Sequence, residues 1–238
     1  MTLCYFVLFF HPEDPELRID PEEAAALRSC LTVLLGLTRA SLYRPATARD
    51  SLSDDGAPPV FGMQLYFEDL ASLEAAVNPG PGTTLCDFVR AGGLDSLAGT
   101  DAAQQAMYLR PFDVPEPRAP GPDACSYIVY YPGPAEDLTG WLDCYLRQHP
   151  PLMLQFPGLR ELEILTRLDW IDAMPWPRVH FMQRNRVMFD SPEALTAALH
   201  SPVRIALRDD SASFPPIEGG NRHYPMLTEV IRPGGATG

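Results

Sequence analysis

Tyr5-Phe6-Val7-Leu8-Phe9-Phe10-His11-Pro12 and Tyr127-Ile128-Val129-Tyr130-Tyr131-Pro132-Gly133-Pro134 are two apolar, aromatic runs, each closed by a proline. Laid one on the other, they bring Tyr5 onto Tyr127, Val7 onto Val129 and Pro12 onto Pro134. The same shift of 122 residues carries on without a gap. Gly36-Leu37 fall on Gly158-Leu159, Phe67 on Phe189, and Leu73 on Leu195. Ala75-Ala76 fall on Ala197-Ala198, Leu85 on Leu207, Asp87 on Asp209, and Arg110-Pro111 on Arg232-Pro233. Single matches of Ala or Leu mean little, but one register held from end to end marks an internal duplication. Between the copies, Pro111, Pro115, Pro117, Pro120 and Pro122 space a semi-rigid linker.

Each half reads as β-α-β-β-α-β. In the second half, Cys125–Tyr131 is β-branched and aromatic, hence a strand. Leu138, Trp141, Leu142, Tyr145, Leu146 and His149 follow helical spacing, and Pro150-Pro151 are expected to end that helix. Leu159–Leu168 and Val179–Phe189 are the next two strands, joined by a Pro-containing loop at Asp172–Pro177. Asp54–Pro59 is its partner loop in the first half. Ser191-Pro192 reads as an N-cap followed by a first-turn proline, with Asp69 as the matching cap. A short helix over Ala194–Leu199 and a last strand over Tyr224–Ile231 complete the unit.

This order is the ferredoxin-like split βαβ unit. Its helices cover one sheet face, and the other needs a partner. The expected fold is therefore α+β: two ferredoxin-like βαββαβ repeats packed sheet to sheet as an intramolecular α/β barrel. The expected boundaries are a first repeat at 1–112, a linker at 113–123, a second repeat at 124–233 and a flexible tail at 234–238. A ligand cavity is expected between the two sheets.

Composition narrows the chemistry. All 18 basic residues are arginine, against 31 acidic ones, for a net charge of −13. Without lysine there is no Schiff base, no P-loop and no lysine general base. The negative balance argues against nucleic acid and anionic membranes as partners. Five cysteines, none paired as CxxC, point to free thiols rather than a disulfide framework or structural zinc. The apolar start, Met1 to Phe10, has no basic residue before it, and no apolar run nears the ~20 residues of a membrane helix. A soluble, cytoplasmic protein is expected.

Trp141-Leu142-Asp143-Cys144-Tyr145-Leu146-Arg147-Gln148-His149-Pro150-Pro151-Leu152, followed by Phe156-Pro157-Gly158-Leu159, resembles the EthD family. So does Met188-Phe189-Asp190-Ser191-Pro192-Glu193-Ala194-Leu195. Asp143, Tyr145, His149, Pro151, Leu152, Pro157 and Gly158 match the family's pattern. The resemblance spans Cys125 to about Ile231 and covers the first half only as architecture. It implies the dimeric α/β-barrel superfamily, and a histidine near this position taking part in acid–base steps. In the first half, Leu27, Arg28 and Ser29 stand where His149, Pro150 and Pro151 stand, so one functional cavity per chain is expected.

His149 is the leading catalytic candidate, because imidazole titrates near neutrality and a helix end favours its charged form. Its bland alternative is a cap on the last helical carbonyls. Tyr145, one turn earlier, shares its face. Tyr127 is the third catalytic candidate, as a hydroxyl donor to a developing oxyanion. Tyr131, Trp141, Arg184 and Tyr224 are the candidate substrate-binding residues, Arg184 for a carboxylate if it points inward. Arg186 shares that strand face, and His223 opens the last strand near a cavity mouth. His11 and His200 read as loop or helix-end residues. No histidine pair has metal-ligand spacing, so no metal and no resident cofactor are expected. The expected function is a cofactor-free enzyme acting on a small hydrophobic, aromatic or polyketide-like carbonyl compound. Cyclase, lyase, isomerase, decarboxylase and oxidative-degradation chemistries remain open. The alternatives are a non-catalytic binding or accessory protein and a haem-binding barrel. The chain is expected as a monomer with an internal pseudo-dimer, or as a homodimer.

Overall fold

The structure, a computed structural model, describes residues 1–234. The expected tail falls almost wholly on residues 235–238, which lie outside the described residues.

The first half runs β1 (Thr2–Phe10), α1 (Pro21–Val33), β2 (Leu37–Pro45), β3 (Phe61–Phe67), α2 (Leu70–Ala76), α3 (Leu85–Arg90) and β4 (Asp101–Phe112). The second runs β5 (Cys125–Tyr131), α4 (Leu138–Met153), β6 (Glu161–Arg167), β7 (Gln183–Phe189), α5 (Pro192–Leu199), α6 (Pro202–Ser211) and β8 (Arg222–Ile231). The eight strands close into an antiparallel barrel in the order β1-β3-β2-β8-β5-β7-β6-β4. The pairs β2–β8 and β4–β6 join the two sheets, so no strand edge is left open to pair with another chain.

Strand register makes the internal symmetry physical. Tyr5 opposes Leu65 as Tyr127 opposes Val187, and Leu42 opposes Met63 as Ile164 opposes Asn185, each 122 residues on. Gly36 and Gly158, also 122 apart, both hold φ near +75°, a left-handed turn that a side chain would strain. The gapless register fails only at the last strand. Tyr5 faces Ala106 and Tyr127 faces Pro225, a separation of 119. The match of Arg110-Pro111 with Arg232-Pro233 therefore joins residues that are not structural equivalents.

Three local expectations change. Helix α4 continues through Pro150-Pro151 to Met153, because the Pro150 carbonyl still accepts the Leu154 N–H at 2.9 Å. Two prolines remove two N–H donors there without stopping the turn. Strand β7 starts at Gln183, not Val179. A whole helix, α6, follows α5 where the sequence reading placed only one.

The barrel interior is packed rather than hollow. Cys4, Phe6, Leu8, Tyr43, Tyr66, Ile128, Tyr130, Leu165 and Tyr224 fill it, together with buried Arg184, Arg186 and Glu163. The expected inter-sheet cavity is thus displaced: interior positions carry large aromatic and arginine side chains that meet at the barrel axis.

The other faces of the sheets carry the helices, and here the two halves exchange cover. The loop between β2 and β3 crosses onto the second sheet, where Ala46 and Ala48 pack and the Arg49 N–H meets Thr196. The loop between β6 and β7 crosses onto the first sheet. There Trp170, Met174 and Trp176 join Tyr5, Phe9 and Leu27, with Trp176 edge-on to Phe9 at 5.1 Å. The β6–β7 loop fills its side with Trp170, Met174 and Trp176 and closes its one buried carboxylate, Asp172, onto Arg178 and Gln104. The β2–β3 loop carries Asp50, Ser53 and Asp55, and beneath it a polar-lined space lies over the second sheet.

Candidate active site

A cavity of about 180 Å³ lies between the outer face of the second sheet, helices α4 and α6, and the crossing loop of the first half. Tyr127, Val129, Tyr131, Asn185 and Val187 form its floor. His149, Met153 and Phe156 come from α4 and the turn after it, Arg204 and Leu207 from α6, Leu52 and Ser53 from the loop, and His223 from β8.

His149 is buried beside Tyr145 (rings 4.8 Å apart) and Phe214 (5.4 Å). Its Nδ1 lies 2.7 Å from Asp210 Oδ2. Burial pulls its pKa below the usual imidazole value, against the opposing pull of Asp210. A neutral ring with Nδ1–H on the carboxylate leaves the Nε2 lone pair free, and among the described residues Nε2 has no hydrogen-bond partner. The helix-end argument, which favoured the charged ring, falls away because α4 runs on to Met153, and burial favours the neutral ring. Asp210 sits in the last turn of α6, where the helix dipole disfavours a carboxylate. Its contact with His149 offsets that cost and locks the tautomer.

Tyr145 does not line the cavity. Its hydroxyl accepts from Asn185 Nδ2 at 2.6 Å, so it fixes Asn185, whose Oδ1 has no partner. Trp141 stacks on Tyr145 at 5.1 Å and lies outside the cavity lining. Tyr131 does line it. Burial pushes its phenol up to about 12, so it stays a proton donor at neutral pH. Tyr127 also lines the cavity, but its hydroxyl already donates to Asp50 Oδ2 at 2.6 Å. Asp50 is further held by Arg204 Nε at 2.9 Å, and Arg204 Nη2 reaches Ser53 at 2.8 Å. Burial raises the Asp50 pKa, yet these donors keep it below the ordinary carboxylate value. The triad of Tyr127, Asp50 and Arg204 is a latch for the loop, with no proton to spare.

Arg184 and Tyr224 lie on the barrel-interior face, across the sheet from this cavity. Arg184 rests over Phe6 at 4.4 Å, its Nε and Nη1 have no partner, and burial lowers its pKa to about 10. Arg186 also points inward, onto Glu163 and Glu161. Of the seven candidates, then, the fold brings His149, Tyr127 and Tyr131 together, with Tyr145 directly behind. Sequence reading missed Asp210, Asp50, Asp55, Arg204 and Asn185. One signal pointed to α6: Ser201-Pro202 repeats the cap-plus-proline pattern of Ser191-Pro192, with Val203 and Leu207 one turn apart. Nothing local signals the crossing loop.

The class this geometry defines is a closed eight-stranded, ferredoxin-like α+β barrel with a polar-lined cavity over its second sheet. No family model and no curated protein sequence matches the chain. Among solved structures, an anthrone oxidase-like protein superposes with a TM-score of 0.63 at 12% identity, over 98% of this chain and 94% of its own. A candidate monooxygenase from Lactobacillus acidophilus NCFM gives 0.57 at 8% identity, over 98% of both chains. A chlorite dismutase variant from Candidatus Nitrospira defluvii gives 0.54 at 8%, over 96% of this chain and 90% of its own. At such identities the likeness shows a shared barrel fold. No helix of the described residues is long and apolar enough to cross a membrane.

The haem reading meets a size mismatch. His149, neutral and anchored through Nδ1, has the donor chemistry of an axial ligand. The cavity of about 180 Å³ falls below the roughly 300–1,000 Å³ typical of drug-sized and cofactor sites. The buried Asp50–Arg204 pair holds the crossing loop against α6 beside this cavity. The residues present do not fit a tetrapyrrole.

Proposed function

We propose that this chain is an EthD-like, cofactor-free enzyme performing acid–base chemistry on a small aromatic or polyketide-like carbonyl compound, bound between the second sheet and α4 and α6. One observation carries the reading: a carboxylate-anchored imidazole, His149–Asp210, lines the cavity with its Nε2 unpartnered among the described residues. Nε2 is placed to take a proton from an acidic C–H or O–H of the bound compound, and Asp210 stabilises the imidazolium that forms. Tyr131 supplies a hydroxyl donor for an oxygen gaining negative charge. Val129, Val187, Met153 and Phe156 hold the carbon skeleton and exclude water. Bare apolar cavities near 150 Å³ accept a benzene-sized guest, so one to two fused rings is the scale that suits this one.

The EthD-like motif around His149 supports the same reading, since it includes the residue that the cavity presents. The test is ligand-observed NMR with one- and two-ring phenols and ketones, against the native chain and the cavity-filling Val129→Phe variant. Binding lost in Val129→Phe, with turnover of any converted compound lost in His149→Ala, is the expected result. Equal binding by both proteins refutes the cavity. Turnover that survives His149→Ala refutes the acid–base role and leaves a binding protein.

A further inference from the structure

The cavity holds a second imidazole. His223, at the start of β8, lines the mouth and stacks on Tyr127 with ring centroids 5.5 Å apart. Its Nδ1 lies 2.8 Å from Asp55 Oδ2, and the same oxygen accepts the His223 backbone N–H at 2.9 Å. Arg222 approaches the other oxygen at 3.7 Å. Both Asp55 and His223 have mostly buried side chains, 13% exposed each, so the pair is built in rather than a chance surface contact. The arrangement repeats that of His149 and Asp210: a carboxylate fixes Nδ1, and Nε2 has no partner among the described residues. Asp55 belongs to the first half, 168 residues away.

Two anchored imidazoles in one small cavity do more than one. A single base can remove a proton, but the oxygen that gains charge then needs its own donor, and the two lining arginines are already engaged, Arg204 with Asp50 and Ser53 and Arg208 with Asp209. A second imidazole can deliver a proton to that oxygen as the first takes one from carbon. No thiol is among the lining residues, and the two lining serines are engaged, Ser53 accepting from Arg204 and Ser211 donating to the Leu207 carbonyl, which favours proton movement over covalent catalysis.

We propose that His223, held by Asp55, is the second proton carrier of this cavity, and that the site moves a proton between two positions of an enolisable ketone, as in tautomerisation or double-bond migration. The inference rests on the acid–base reading of His149. His149 Nε2 takes the proton from the carbon beside the carbonyl, and the C–H electron pair becomes the new C=C bond. The carbonyl π pair moves to oxygen, which takes the proton from His223 Nε2–H, giving the enol. Return of the oxygen's proton to His223 and delivery of the His149 proton to carbon complete the cycle. At the original carbon this is exchange; at a conjugated carbon it is isomerisation. No oxidant or reductant is consumed. His149, the more buried of the two rings, whose burial disfavours its charged form, is the base. Asp55 is a positioning residue, and through it the first half completes a site that otherwise belongs to the second.

The experiment follows deuterium exchange at the carbons beside the carbonyl of 2-tetralone in D2O by NMR, with the full chain and with His149→Ala, His223→Gln and Asp55→Asn. Saturable exchange is expected, lowered about 10²-fold or more by either histidine change and by about tenfold in Asp55→Asn, with 2-tetralone affinity kept. In the native chain, long-range ¹H–¹⁵N spectra are expected to show both imidazole Nε2 signals shifting on saturation with 2-tetralone. Exchange lost in His149→Ala but intact in His223→Gln, or an Nε2 shift at His149 alone, overturns this inference and leaves the acid–base reading standing. No saturable exchange by the native chain overturns both. The spectra need no variant, so a misfolded substitution cannot shelter the proposal.

Discussion

Glu163→Gln tests the bond between the two halves. Glu163 is buried inside the barrel, where it accepts from Arg186 Nε at 2.9 Å, Gln64 Nε2 at 3.0 Å, Tyr66 at 3.0 Å and Arg39. Arg39, Gln64 and Tyr66 come from the first half, Arg186 and Glu163 from the second. Burial alone raises the Glu163 pKa, but Arg186, then Arg39 and Gln64, bring it from 4.5 down to about 2. A shift of that size corresponds to about 3 kcal/mol of folding stability at neutral pH. The amide keeps the shape and loses the charge, leaving two guanidinium groups in the barrel with one fewer carboxylate. Breaking such a buried pair typically costs about 3–5 kcal/mol. For a chain of this size that is a fall in Tm of roughly 10 °C. The sign with pH is fixed, because the depressed carboxyl stabilises fully above its unfolded value near 4.5 and loses that contribution as pH falls towards 2. The difference between native and Glu163→Gln proteins is therefore expected to narrow by about 1 kcal/mol between pH 7 and pH 3.5. Urea unfolding at several pH values measures it. A difference under 1 kcal/mol at pH 7, or one that widens on acidification, refutes the reasoning.

Other expectations concern the cavity and the packing. Asp210→Asn removes the groups that hold the His149 pKa up, so an NMR titration should show it lower still, with any proton-transfer rate down about 10²–10⁴-fold; an unmoved titration would show that the two side chains do not interact. Tyr127→Phe removes a charge-assisted bond to Asp50, worth about 1.5–3 kcal/mol locally, and should speed proteolytic cutting in residues 46–59; unchanged cutting means that the latch is not what holds the loop. Gly62→Ala places a Cβ 2.5 Å from Leu8 Cδ2 with the Tyr43 ring behind, and should cost about 1–3 kcal/mol in chemical unfolding, a neutral result showing slack in the barrel. Haemin added to the purified protein should give no saturable Soret shift, since the cavity is too small for it; a stoichiometric shift would mean that the latch opens.

The halves also differ in what covers their outer faces. At the position equivalent to His149 stands Leu27, packed with the apolar side chains that the β6–β7 loop drops onto the first sheet. Single-repeat barrels must find that cover in another copy. Here each half covers the other, and the two loops differ: one buries Trp170, Met174 and Trp176 around a closed Asp172–Arg178 pair, the other sets Asp50, Ser53 and Asp55 beside the cavity.

What was legible in the sequence was local and periodic. β-Branched and aromatic runs gave the strands, the cap residues Asp69 and Ser191 opened their helices, and a constant register led to the expectation of paired halves, whose matched Gly36 and Gly158 only the structure showed to be left-handed turns. His149 was legible too, because it stands in a motif. The partners that give it chemistry were not. Asp210 is 61 residues away on a helix with a weak pattern, and Asp55 lies 168 residues from His223 in a loop of the other half. Alternation also leaves open which strand face turns to the barrel and which to the helices. Only closure of the barrel decided that, sending Arg184 and Tyr224 inward while Tyr127 and Tyr131 line the cavity. A chain writes its neighbours in short spacing. Charge pairing across a closed sheet is set by how the two halves fold over one another.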